Sequence, residues 1–157
     1  MTYVSASAVD AQSFTSVVHG FRVDKTSATV PQSAAQDIFT VSGGRVAVLG
    51  LLGEVTTIMG ATATNGKIIS APTTGTAVDI AAVLAIASKE AGTLFGITGI
   101  FGDAMVGANA GATVLQQRAV VVPIGKLQFH CSANNTGATK WTVWYVPLDE
   151  GASVVSA

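Results

Sequence analysis

The sequence predicts an all-β fold, a jelly-roll-like two-sheet β-sandwich with an extended N-terminal arm, and three observations carry that reading. Apolar and polar residues alternate along the C-terminal third, the period of a half-buried strand. Turn-forming Gly, Pro, Asn and Asp clusters recur at roughly the 8–12-residue spacing of sandwiches and barrels. A long β-branched and leucine-rich run near residue 50 is apolar on both of its faces, as for a strand covered on both sides.

The elements follow in chain order. Residues 1–36 are rich in Ser, Ala, Thr, Val and Gln without a sustained period, and read as an extended arm with one short strand near Ser16 to Asp24. Residues 1 to about 30 bury too little apolar area by themselves to offset their ordering entropy, so they are expected to be largely optional for folding. Val17, Val18, Phe21 and Val23 are the apolar anchors by which such an arm would dock. It could do so by adding to a neighbour's sheet edge, or Ser16 to Asp24 could be the first strand of the sandwich itself.

The β-sandwich domain is expected over residues 37–152, followed by a tail at 153–157. Val46, Val48, Leu52 and Thr56 alternate with Arg45, Ala47, Leu49, Leu51 and Val55 in one long strand, with Gly50 and Gly53 marking bulges or bends. Asn65-Gly66 is a strong short-range hairpin signal between candidate strands within Ala61 to Ala71. Val78 to Ala91 fits two periods. Ile80, Val83, Leu84 and Ala87 suit a helix capped by Gly92, whereas Val78, Ile80, Ala82, Leu84 and Ile86 alternate as a strand leading through Ser88–Gly92 into a hairpin partner at Thr93 to Ile100. The alternation is the favoured reading. Leu127, Phe129 and Cys131, then Trp141, Val143 and Tyr145, alternate on either side of a turn-rich loop, Ser132 to Thr139, and read as one hairpin.

Roughly seven or eight strands with connections this variable favour a jelly roll over an immunoglobulin-type sandwich, whose pair of cysteines around a tryptophan is absent.

Composition narrows the function. Charged residues are 11% of the chain, under half the roughly 25% usual in globular domains, while apolar residues reach 49% and glycines number 17. A surface so poor in charge, on a chain of net charge −1, suits a protein that works assembled. No basic run marks a nucleic-acid or anionic-membrane partner. The stretch from Ala104 to Gln117 is free of Lys, Arg, Asp and Glu but is shorter than the roughly 18 residues of a membrane span. The N-terminus lacks the basic and apolar regions of a signal peptide, and a lone Cys131 fits a reducing cytoplasm.

The search for chemistry returns none. His19 and His130 are the candidate bases, and Glu54, Asp79 and Asp103 the candidate acids, but they form no ligand spacing for a metal and no cofactor motif. Cys131 beside His130 would point to the opposite face of a strand, which rules against a nucleophile pair. Gly43-Gly44 lacks the lysine of a phosphate loop, and Asn134-Asn135-Thr136, a glycosylation triplet, is idle without secretion. Trp141, Trp144 and Tyr145 could form a stacking platform for sugar or single strands, although only Lys140 supplies charge nearby. The expectation is a protein that is not an enzyme and carries no catalytic, cofactor or metal residues.

Several segments carry a resemblance. They are Asp37-Ile38-Phe39-Thr40-Val41-Ser42-Gly43-Gly44-Arg45-Val46 with Gly50-Leu51-Leu52-Gly53-Glu54-Val55-Thr56-Thr57, then Gly92-Thr93-Leu94 with Ile97-Thr98-Gly99, and the closing Lys140-Trp141-Thr142-Val143-Trp144-Tyr145-Val146-Pro147-Leu148-Asp149-Glu150-Gly151-Ala152. Over residues 37–152 the chain resembles small virion structural proteins of tailed bacteriophages, most of all head decoration (cement) proteins. The resemblance implies a protein made in the host cytoplasm and housed on the capsid surface. There it would trimerise, bind the major capsid protein and bridge its subunits against the pressure of packaged DNA. Val17, Val18, Phe21 and Val23 are then the candidate capsid and inter-subunit contacts. The alternative is a receptor- or carbohydrate-binding module of a phage tail or fibre.

Overall fold

The computed structural model describes residues 20–109 and 111–157. Within them the chain forms β1 (Phe21–Thr29), β2 (Ala35–Ser42), β3 (Val46–Thr57), β4 (Asn65–Pro72), β5 (Val78–Ala85), β6 (Leu94–Gly96), β7 (Val106–Gly107), β8 (Val120–Val122), β9 (Gly125–Cys131), β10 (Ala138–Pro147) and β11 (Ser153–Ser156). No helix occurs among the described residues. The pairing is nested: β1 with β10, β2 with β9, β3 with β6 and β4 with β5, all antiparallel. That is one long eight-strand ribbon, and wrapping it on itself joins β10 to β3 and β9 to β4. Two sheets result, β1-β10-β3-β6-β7 with β8 on β3, and β11-β2-β9-β4-β5. This is jelly-roll topology.

The wrapping follows from the alternation. In β9 and β10 every second residue is buried, so each strand offers one apolar face that only an opposing sheet can cover. Between the sheets lie Phe39, Leu51, Ile68, Phe95, Leu127, Phe129, Trp141 and Val143, all at most 2% exposed. The Phe129 and Trp141 rings, one from each sheet, meet at 5.0 Å between centroids.

Several local expectations change. The segments 125–131 and 138–147 are strands with the expected inward faces, but they do not form a hairpin: β9 joins the second sheet and β10 the first, so their side chains meet across the core. Val78–Ala85 is a strand and not a helix. It pairs with β4, while β6 pairs with β3 in the other sheet. The connection between them crosses the sandwich, tied by Met59 N–H to Lys89 O and Gly92 N–H to Val55 O, with Ile86 buried at the crossing. Asn65-Gly66 opens β4 instead of turning a hairpin, because Gly66 makes room for a ring: a Cβ there would stand 2.9 Å from Phe129 Cε2. The bulge expected near Gly50 is present, since Val48 faces Tyr145 and Gly50 faces Trp144, leaving Leu49 extra. Gly53 serves packing instead, with a Cβ there only 2.7 Å from the Trp141 ring.

The sandwich also extends past both expected limits. The first strand runs over Phe21–Thr29 and is hydrogen-bonded to β10, and β2 begins at Ala35, so residues 21–36 lie within the sandwich. Residues 153–156, expected as tail, are β11: Gly151, at φ +80°, reverses the chain, and Val154 is buried opposite Val41.

Cys131 lies in this core, and desolvation pushes its thiol up to about 12. In folded protein at about pH 8 it should therefore resist a thiol-alkylating reagent that modifies the unfolded chain fully, as mass spectrometry would read. Equal labelling of folded and unfolded protein would remove Cys131 from the core.

Candidate functional site

The two outward faces of the sandwich differ in kind. On the second sheet, Asp37, Lys67, Asp79, Lys126 and Gln128 form a hydrogen-bonded polar lattice. Lys67 Nζ lies 2.9 Å from Asp79 Oδ2, Lys126 Nζ donates to Thr40 Oγ1 at 2.8 Å, and Gln128 Nε2 donates to Asp37 Oδ1 at 2.7 Å. Exposed apolar residues occur on its two edge strands, Val83 on β5 and Val155 on β11. His130 lies on it, opposite in direction to the buried Cys131, as adjacent strand residues must be.

The first sheet is polar only at one end of its outward face, where Lys140 pairs with Glu54 at 2.9 Å and Arg22 with Asp24 at 3.0 Å. Thr142 Oγ1 donates to Asp24 Oδ1 at 2.6 Å and, more than any other contact, holds that carboxyl below its usual range. The rest of the face is apolar. Ala47, Leu49, Leu52, Trp144 and Val146 are half-buried, and Val121 is 58% exposed. The segment after β7 crosses this face and adds Val114 and Leu115, 67% and 52% exposed. Gln116 pins that segment to the bulge of β3, its Nε2 donating to Val48 O at 2.9 Å and Arg118 O at 2.8 Å. Leu49, Gly50, Leu115 and Trp144 line a depression of about 320 Å³. Gly50 keeps it open beside the indole, since a Cβ there would stand 3.2 Å from Trp144 Cε3. Two buried oxygens of the crossing segment, Thr113 Oγ1 and Gln116 Oε1, have no hydrogen-bond partner among the described residues.

A second depression, of about 350 Å³, opens among Gly44, Arg45, Thr73, Thr74, Pro123, Ile124 and Asp149 at one end of the sandwich. The Arg45 guanidinium clasps the Asp149 carboxylate through two bonds of 2.6 and 2.9 Å, and the Arg45 amide adds a third at 2.7 Å. Those bonds hold the Asp149 carboxyl well below the usual carboxylate range.

The residues singled out by sequence are dispersed. Phe21, 47% exposed, leans on Tyr145 at 5.6 Å between centroids, and Val23 packs against the core, so both are parts of the sandwich edge. Val17, Val18 and His19 lie outside the described residues. The aromatic platform is not assembled: Trp141 and Tyr145 face the core, and Trp144 alone of the three faces outward, with the Arg22 guanidinium 6.0 Å from its ring. Glu54, Asp79 and Asp103 are engaged separately, by Lys140, Lys67 and Thr98. Among the described residues no three His, Cys, Asp or Glu side chains cluster to hold a metal.

Two residues that sequence reading missed organise the surface. Leu115 stands in a stretch without period, and only its unbroken lack of charge sets it apart. Asn135, within the turn-rich loop, is buried and ties the crossing loops together, accepting from Gly60 N at 2.7 Å and donating to Thr64 Oγ1 at 3.1 Å.

No family model matches the chain, and no curated protein does. Among solved structures it is similar to a chain in the structure of infectious bursal disease virus, Gx strain, at 13% identity and a TM-score of 0.22, over 85% of this chain and 33% of that one. The chain thus spans about a third of that chain's length, and a likeness of this depth carries no argument about function.

Proposed function

We propose that this chain is a structural virion protein, a decoration (cement) protein that binds the outside of a tailed-bacteriophage head and stabilises it by bridging capsid subunits. The observation that carries the reading is the apolar outward face of the first sheet, set against the second sheet's outward face, where Lys67 pairs with Asp79 and Lys126 and Gln128 with Asp37. An antiparallel sandwich in water needs only its inward faces apolar, so a second apolar face, on a chain with 11% charged residues, fits a molecule that works against another protein surface. The major capsid protein is the partner this reading assigns to that face. Self-association into a trimer would place three such faces together, so that one particle reaches several capsid subunits. The segments resembling phage virion proteins contribute β3 and β10, the two central strands of this face, while their first part, β2, lies in the other sheet.

Labelled protein added to bare heads tests the reading by electron microscopy, beside a Trp144→Asp, Leu115→Asp double variant. The expected result is a lattice of label over the whole shell with the natural chain and loss of at least about nine-tenths of the label with the variant, the scale of a contact worth 1.4 kcal/mol or more. Label confined to tails would favour the receptor-binding alternative and overturn the decoration reading. Light scattering on the purified chain is expected to give a mass near three times 15.8 kDa. A monodisperse monomer would remove the trimer.

A further inference from the structure

We infer that the depression at the loop end of the sandwich binds a neutral pyranose sugar, with Arg45 and Asp149 engaging adjacent ring hydroxyls and Pro123 and Ile124 covering a C–H face of the ring. This binding is independent of the head-binding reading, which uses the outward face of the first sheet.

The depression is held open by the connections that meet there. Thr73 N–H donates to Ile124 O at 2.9 Å, Leu148 N–H to Arg45 O at 2.9 Å and Ala152 N–H to Asp149 O at 3.1 Å. Gly44 lets the β2–β3 turn lie against the Asp149 side chain, since a Cβ there would stand 2.5 Å from Asp149 Cβ. A volume of about 350 Å³ is at the small end of the range for ligand pockets and suits a mono- or disaccharide. A site fixed in this way before binding loses little ordering entropy when the ligand enters.

The choice of ligand follows from charge and from the free hydrogen-bonding groups. Arg45 and Asp149 neutralise each other, so neither an anion nor a cation is favoured over a neutral ligand. Their clasp spends two of the five N–H groups of the guanidinium, one on Nε and one on Nη2, and leaves three. Asp149 Oδ1 accepts a single bond among the described residues and keeps a lone pair. The two side chains stay 61% and 34% exposed, within reach of a ligand. Neighbouring hydroxyls of a sugar match them: one accepts from the guanidinium and the other donates to the carboxylate, both charge-assisted bonds. Thr73 and Thr74, both exposed, add hydroxyls that donate or accept. Pro123 and Ile124 supply exposed apolar surface, which a ring with a C–H face covers and a bare anion leaves in water.

The probes are the methyl glycosides of glucose, galactose, mannose and N-acetylglucosamine, with sorbitol and inorganic phosphate as controls. Each is titrated into the full chain and followed by the methyl NMR signals of Ile124, Thr73 and Thr74. At least one glycoside is expected to shift all three signals saturably with a Kd on the order of 1 mM, the scale for a ligand of about a dozen heavy atoms. Sorbitol and phosphate should leave the signals in place. Arg45→Lys, which keeps the charge and loses the planar fork, is expected to weaken binding at least about tenfold at the Ile124 signal. Thr73→Val with Thr74→Val, a change confined to exposed side chains, should weaken it at least about fivefold and decides the matter if Arg45→Lys loosens the loops. The inference is overturned by the absence of a saturable shift with all four glycosides, or by unchanged affinity in the double threonine variant. Sorbitol binding as tightly as the glycosides, or a response to phosphate alone, overturns it too. Failure here leaves head binding untouched, since Trp144 and Leu115 are the same in these variants.

Discussion

Phe129→Ala should lower the free energy of unfolding by about 3–5 kcal/mol, a third or more of the stability of an ordinary domain. The ring is 1% exposed, from the strand at the centre of the second sheet, and meets Trp141 of the opposite sheet. Its surroundings are poor at collapsing. Gly66 on β4 and Gly53 on β3 carry no side chain because these two rings occupy the space, with would-be Cβ atoms 2.9 Å from Phe129 and 2.7 Å from Trp141. Removing the phenyl group therefore leaves a void that neither glycine can fill, which puts the cost toward the upper end of the range. Chemical denaturation reads the loss as a lowered midpoint at unchanged slope. Val155→Ala, at a position 52% exposed on β11, is the control and should stay within about 0.5 kcal/mol. A loss of less than about 1 kcal/mol at Phe129 would place its ring outside the core and undo the facing of β9 and β10.

That pair of strands also marks how far the sequence can be read. Alternation told which residues of 125–131 and 138–147 face inward, because the period of two is a local property of the backbone. It could not tell which strands pair. Two strands joined by a short turn-rich loop read as a hairpin, yet here the loop spans the sandwich, and the link that allows it is Asn135, an ordinary loop asparagine until its six surrounding backbone and side-chain groups come together. In a jelly roll the two ends of the eight-strand ribbon pair, here β1 with β10, and no signal within a window of ten residues encodes a contact that distant. The glycines misled for the same reason. Gly66 follows Asn65 as in a tight turn, but its role is to admit the ring of Phe129, a residue 63 positions on whose proximity only the assembled sheet creates. The apolar outward face was legible in part: the two-sided apolar character of residues 46–56 foretold that Leu49 and Leu52 would be covered or in contact. Leu115 and Val114 were not, since a segment without period gives no hint of where it lies.

The ends of the sandwich set the second large effect, on truncation. Removing residues 1–30 should abolish the cooperative thermal transition and yield aggregating protein, whereas removing residues 1–19 should leave a melting temperature within a few degrees of the full chain. The dividing line is structural. β1 pairs with β10 from Phe21 opposite Tyr145 to Thr29 opposite Ala138, and Val30, 1% exposed, donates its N–H to Gly137 O at 3.0 Å. Lys25 Nζ reaches Ala157 O at 2.5 Å, joining the edge of the first sheet to the chain's last residue in the second. Without β1 the long strand β10 becomes an edge, its backbone groups on that side unpaired from Ala138 to Tyr145, a stretch that includes Trp141, Val143 and Trp144, and an exposed apolar edge of that length invites pairing between molecules. All of these contacts are made by residues from Phe21 onward, so a protein lacking residues 1–19 keeps them. Circular dichroism melts and sedimentation of both truncated proteins separate the cases. A 31–157 protein that melts like the full chain would make β1 a detachable arm, and the sheet edge at β10 would then be the surface on which a partner's strand is received.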